Sequence, residues 1–170
     1  MNRPNWAVFL CQYFMKYRQL TKEQFSALHK EFALFLASQQ IDAKEWEKIT
    51  KEKPLIAEEE MEIFSDVVWE DVLSKTEYLE HISENHINLF KYESDVIIRI
   101  YINLKNSNKN FLKNDDFQWF LKNPLDEQFE YFKAEKKYTK ERNQELFELI
   151  EMGSQISKGE LFTTINQLIG

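Results

Sequence analysis

Hydrophobic positions along this chain change their period twice. Through residues 22–52 they recur at helical spacing, with Phe25, Leu28, Phe32 and Phe35 forming one stripe. Leu20-Thr21-x-x-Gln24-Phe25 joins a capping box to a hydrophobic staple, and Ile41-Asp42-x-x-Glu45-Trp46 repeats the logic with Asp as cap. Ile156-Ser157-x-x-Glu160-Leu161 repeats it a third time, so helices are predicted near 22–38, 43–52 and 158–168. Pro54 fits the first turn of a long helix over 54–75. From 78 to 104 the period becomes two: VIIRIYINL (96–104) puts Val96, Ile98, Ile100, Ile102 and Leu104 on one side. EYLEHIS and HINLFKYE precede it, with tight turns at Glu84-Asn85 and Ser94-Asp95, which predicts a three-stranded antiparallel meander over about 78–104. Helical spacing then returns. Short helices are expected at 115–122 and 126–133, broken at Asn123-Pro124, and a longer one from a Thr139 cap to Gly153. The GSQIS stretch reads as the turn of a closing αα-hairpin, and NSNKN (106–110) as a loop. The expectation is a single α+β domain over 15–170: N-terminal helices, meander, C-terminal helices packed on the sheet.

Two-residue turns fix which strand positions share a face. Ile82 should face Ile87 and His81 face Asn88; Leu89 should face Ile100 and Phe90 face Arg99. One side then collects Tyr78, Ile82, Ile87, Leu89, Val96, Ile98, Ile100 and Ile102 and must be core. The other collects His81, His86, Asn88, Phe90, Tyr92, Arg99, Tyr101 and Asn103. Aromatic rings with an arginine on an open sheet suit base stacking, so Phe90, Tyr92, Arg99 and Tyr101 form a candidate face for RNA or a ribonucleoprotein. The competing reading covers part of that face with helices and wets the rest. No RNA-recognition signature accompanies it. His81 and His86 lie diagonally across the first hairpin and are the metal candidates, although no E-x-x-H or H-x-x-x-H helical motif supports them.

Charge gathers on the 54–75 helix. Glu58, Glu62, Asp66 and Glu70 fall at i, i+4, i+8 and i+12 and form a ridge whose like charges repel. Such a ridge is either well solvated or meets something positive. With neighbouring Trp69 it is a candidate docking surface for another protein with a basic face. The apolar arc Ile56, Ile63, Phe64, Val67 and Val68 also takes in Glu60 and Asp71. Either the helix kinks near Ser65 or carboxylates face the interior, where they need partners.

Composition narrows the alternatives. Three Gly and three Pro favour helices over a many-turned sandwich, and 43% hydrophobic residues exclude wholesale disorder. A single cysteine, Cys11, allows no intramolecular disulfide and no cysteine-based zinc site, which points to a cytoplasmic chain. No apolar run reaches membrane-spanning length. WAVFLCQYF (6–14) superficially resembles a signal core but lacks a small-residue cleavage site, and Met15 offers an alternative start; residues 1–14 read as an over-called leader or an N-terminal extension. The formal charge of −7 is unevenly spread: 54–95 carries −10 and 96–142 carries +3, which fits neither a uniform DNA mimic nor a plain nucleic-acid binder. KAEKKYTKER (133–142) is the basic cluster, either a solvated face or a partner for the acidic helix, within the molecule or in a second copy. Nucleophile elbows and Gly-rich phosphate loops are absent from the sequence, so no catalytic residue or cofactor is implied.

FSDVVWEDVL (64–73), KTEYLEHISENHINLFK (75–91) and ISKGELF (156–162) together resemble a small family of uncharacterised bacterial proteins, a domain of unknown function, over roughly 15–168. The resemblance implies a cytoplasmic bacterial protein that folds as one unit, and carries over no site residue. The function expected is a non-enzymatic protein–protein interaction module using the acidic helix, with RNA binding on the sheet as the alternative and a metal-dependent hydrolase as the third reading.

Overall fold

The computed structural model describes residues 14–105 and 108–170. The readings on residues 1–13, Cys11 among them, and on the first two residues of the 106–110 loop lie outside the described residues. Helices α1 (Lys22–Ala27), α2 (His29–Ser38), α3 (Ala43–Glu52) and α4 (Pro54–Lys75) come first. Strands β1 (Tyr78–Ile82), β2 (His86–Tyr92) and β3 (Val96–Leu104) follow, then α5 (Asn114–Lys122), β4 (Phe129–Lys137), α6 (Arg142–Glu151), β5 (Gln155–Ser157) and α7 (Glu160–Ile169). Two compact units divide the chain, one ending at Asp71 and one running from Val72 to Gly170. No helix among the described residues is long and apolar enough to cross a membrane.

In the first unit the aromatic stripe does what its spacing dictates. Phe32 meets Phe25, Trp46 and Phe64 with ring centroids 5.6, 5.3 and 5.0 Å apart, and Phe35 meets Phe64 at 5.3 Å. Thr21 closes the expected capping box with Gln24, and Asp42 accepts from the Glu45 amide. The helix expected over 22–38 is broken at Leu28, where φ/ψ is −102°/21°. Helix α4 presents Ala57, Phe64, Ser65, Asp66, Trp69 and Leu73 as its buried positions, while Val67 is 52% exposed. The interior face is therefore rotated from the expected arc. Neither Glu60 nor Asp71 is buried, and α4 runs unbroken through Ser65. Ser65 Oγ returns to Met61 O at 2.6 Å and accepts the Leu20 amide at 3.1 Å, so this mid-helix serine is satisfied without a break.

In the second unit the sheet has five antiparallel strands in the order β4-β3-β2-β1-β5, where the sequence reading had three. The expected central registers hold: Ile82↔Ile87, His81↔Asn88, Leu89↔Ile100 and Phe90↔Arg99. Both turns close as two-residue loops, through Ser83 N to His86 O and Glu93 N to Val96 O. The core lies on the predicted face, where Ile87, Leu89, Ile100 and Ile102 are fully buried with Phe111, Phe120, Phe129, Phe162 and Ile165, brought by the chain around α5, by β4 and by α7.

Two elements depart from expectation. The helix expected at 126–133 is instead strand β4: Phe129 and Tyr131 alternate onto the core face beside Leu104 and Ile102, and hydrogen bonds to β3 decide the state. The αα-hairpin is interrupted, because residues 155–157 pair with β1 as an edge strand. Ser157 pairs with Tyr78 and does not cap α7; the N-cap is Gly159 at φ +77°, where an added Cβ would sit 2.5 Å from the Tyr78 ring. Thr139 likewise does not cap α6. Glu141 is the N-cap, and both the Thr139 amide and hydroxyl donate to Glu145. The predicted stop at Gly153 holds, with Gly153 N bonding Ile150 O and Ser154 N bonding Leu149 O in a Schellman arrangement.

Candidate functional site

The acidic ridge splits along its length. Glu58 is exposed and Glu62 half-buried, but Asp66 is buried. Its carboxylate accepts the backbone amides of Lys16 and Tyr17 at 2.5 and 2.9 Å. Glu70 accepts from Lys16 Nζ at 3.2 Å and from the Tyr17 hydroxyl at 2.5 Å. Burial first, and then the bond to Glu70, pushes the Tyr17 phenol up to about 12. Trp69 is buried too. Its indole N–H donates to Arg18 O at 3.0 Å and the Arg18 guanidinium lies 5.2 Å from the ring centroid. Three of the five residues named for docking a partner therefore serve residues 16–18 of the chain's own backbone and side chains, because a helix carboxylate facing inward meets main-chain donors as readily as it meets a foreign lysine.

The mixed face of the sheet is partly roofed. Phe90 and Tyr92 are buried, at 9% and 3% exposure, beneath residues 138–152. Tyr92 stacks with Tyr138 at 6.3 Å, and the Arg142 guanidinium lies 5.8 Å from its ring. Neither ring is open to stack a base. The basic cluster supplies this roof. Lys136 pairs with Glu145 at 2.7 Å, Lys140 pairs with Glu148, and Arg142 donates to the carbonyls of Leu73 and Thr76. Burial raises the Glu145 carboxyl, but Lys136, the Thr139 amide and hydroxyl and the Lys140 amide outweigh it and hold it at about 2.

Beyond the roof the face is open. Arg99 is exposed, and its Nε and Nη2 both donate to Asn88 Oδ1, at 2.9 and 2.5 Å. Asn88 is itself buried, at 7% exposure. The guanidinium lies 5.3 Å from the Tyr101 ring centroid and 5.9 Å from that of Phe90, so its plane is fixed on two sides. A row of rings continues across the sheet: His81 to His86 at 6.4 Å, His86 to Tyr101 at 5.6 Å, Tyr101 to Phe132 at 6.1 Å. Phe132, contributed by the unforeseen β4, is 56% exposed. Burial first, and then His81 and Arg99, lower the His86 pKa. His86 Nδ1 lies 3.0 Å from Asn85 Oδ1, and no group of three His, Cys, Asp or Glu side chains among the described residues is disposed to hold a metal ion.

Next to Arg99 the sheet and α6 enclose a groove of about 340 Å³, lined by the apolar Phe90, Ile97, Ala134, Leu149 and Met152 and by the polar Glu135, Lys136, Thr139, Glu145 and Glu148. The sequence reading missed it. The wall depends on where α6 docks, although Arg99 and its diagonal neighbour Asn88 were on one face in the predicted register.

No curated protein and no solved structure matches this chain. A family model does match, over residues 15–170, and so the chain belongs to the family of unknown function DUF6495.

Proposed function

We propose that this chain is a non-catalytic protein-binding module whose recognition surface is the open part of the sheet, with the acidic helix in a structural role. The observation that carries this reading is Arg99: an exposed guanidinium, held by a buried asparagine and two aromatic rings, with no carboxylate partner among the described residues. Holding a cation rigid and unpaired at a surface favours a ligand over the fold, since the same arginine could have been matched internally as Lys136 and Lys140 are. Arg, Tyr, Phe and Met gathered around a concavity is also the composition of interaction hot spots. The test is affinity purification from the native cell with quantitative mass spectrometry. Arg99→Gln should lose the specific partner set, and Glu58→Lys/Glu62→Lys should keep it. Loss on the acidic-helix variant with retention by Arg99→Gln would return the reading to the ridge.

Single-stranded RNA is the second reading. It is supported by the ring row from His86 to Phe132, which offers flat surfaces beside the same arginine. It predicts salt-dependent binding of an oligouridine, lost when Tyr101 and Phe132 become alanine.

A further inference from the structure

We infer, resting on the binding-module reading, that the groove between β4 and α6 takes an acidic segment of a partner protein, with a carboxylate in the Arg99 fork and an apolar side chain on the groove floor. Charge comes first. Of the charged residues lining the groove, Lys136 is matched by Glu145, and Glu148 is matched by Lys140. Glu135 also lines the groove, but it pairs in register with Ile98, so strand alternation directs its side chain to the opposite face from Arg99. On the sheet face that floors the groove, the unmatched charge is thus the single positive one of Arg99.

Geometry comes next. Asn88 Oδ1 takes the Nε hydrogen and one Nη2 hydrogen, which leaves both hydrogens of Nη1 and the second of Nη2 for a ligand. A planar fork of this kind matches a carboxylate with two parallel hydrogen bonds. Beside it, Phe90, Ile97, Ala134, Leu149 and Met152 line about 340 Å³, room for a large apolar side chain. Ala134 stands directly opposite Arg99 in the register and keeps the floor clear, while Met152, 68% exposed, can adapt its shape to the occupant.

The same features weigh against a polyanion. Nucleic acid needs several phosphates neutralised, whereas this groove offers one spare cation on a chain of net charge −7. A single carboxylate needs only the local field, because the remaining charges are screened beyond about 8 Å at physiological salt.

The test is an array of immobilised hexapeptides probed with the labelled full chain, alongside a fluorescein-labelled oligouridine in solution. Each peptide carries Asp, Glu, Asn or Lys at one position and Leu, Phe or Ala one to three residues away. Capture is expected on peptides pairing Asp or Glu with Leu or Phe. It should fall about thirtyfold when the acid becomes Asn or when the probe carries Arg99→Gln, the scale of a hot-spot arginine. Arg99→Lys, which keeps the charge and loses the fork, should recover only part of the signal. Ala134→Phe, filling the floor, should abolish the preference for Leu or Phe over Ala. Ala134 is exposed, so Ala134→Phe should melt with the parent; the Arg99 variants, which disturb the bonds to the buried Asn88 oxygen, should melt slightly lower and stay folded at the assay temperature. An array that is silent, that binds Asn and Asp peptides alike, or that is indifferent to Arg99→Gln overturns the inference, as does Arg99-dependent oligouridine binding in its place. If the array fails while the co-purified partner set still depends on Arg99, the acidic-peptide chemistry falls and the module reading stands.

Discussion

Two charged regions of this protein meet opposite fates. On α4, four carboxylates at helical spacing look like an invitation to a basic partner, yet Asp66 and Glu70 are engaged by Lys16 and Tyr17. On the sheet, Arg99 is held in place by Asn88 and two rings, and no carboxylate among the described residues answers it. The lesson is that charge density is a poor guide to a binding surface and charge accounting a better one. A cluster whose members already have partners contributes to the fold, while a rigid group without a counter-charge is left for something else.

The largest expected effect separates the two regions by stability. Asp66→Ala would strip a buried acceptor from the Lys16 and Tyr17 amides, and should lower unfolding free energy by about 2–3 kcal/mol in a urea melt. A change below about 0.5 kcal/mol, the scale of an ordinary surface substitution, would mean the clamp is incidental. Arg99→Gln takes two donors from the buried Asn88 oxygen and should lower unfolding free energy by about 1 kcal/mol, less than Asp66→Ala, while binding is lost.

A pH titration sharpens the second unit's side of the comparison. Glu145 has a folded pKa of about 2, below its ordinary 4.5. The stability it lends is therefore present above the ordinary value and is lost as pH falls through the folded one. Thermal melts of the parent should weaken more steeply from about pH 4.5 toward pH 2 than melts of Glu145→Gln. Parallel curves would remove Glu145 as the anchor of the β4–α6 connection.

Smaller effects follow. The Tyr92 hydroxyl is buried with no hydrogen-bond partner among the described residues, so Tyr92→Phe should be neutral or raise stability by up to about 1 kcal/mol. A clear loss in calorimetry would place that hydroxyl in a bond. Smallest of all, Glu58→Lys/Glu62→Lys should change stability by no more than about 0.5 kcal/mol, since the two lie on the solvent-facing half of the ridge.

Much of the central sheet was legible because period-two alternation and two-residue turns fix register without help from the rest of the chain; the pairing of Phe90 with Arg99 follows from counting. The two edge strands were not. FEYFKAEKK mixes helix-forming Lys, Glu and Ala with aromatics at a spacing that also suits a helix, and its strand state rests on hydrogen bonds to β3, distant in sequence. Ser157 and Glu160 satisfy a capping pattern, but pairing of Ser157 with Tyr78 and the left-handed turn at Gly159 override it. At the candidate site the arginine, its asparagine and the rings of His81, His86, Phe90 and Tyr101 share the face predicted from the sequence, whereas Phe132 arrives with β4. The roof over Phe90 and Tyr92, and with it the groove, came from α6 and lay beyond local pattern. The inward turn of Asp66 was equally hidden, because i, i+4 spacing looks the same whether the next group is water, a foreign lysine or the chain's own amides.

A photo-reactive phenylalanine analogue placed at Phe132 in one strain and at Glu58 in another bears most directly on where this protein meets its partner. Irradiated in the native cell, the Phe132 position should form a discrete protein adduct that disappears on adding Arg99→Gln, and the Glu58 position should form none. A discrete adduct from Glu58 with none from Phe132 would contradict the account.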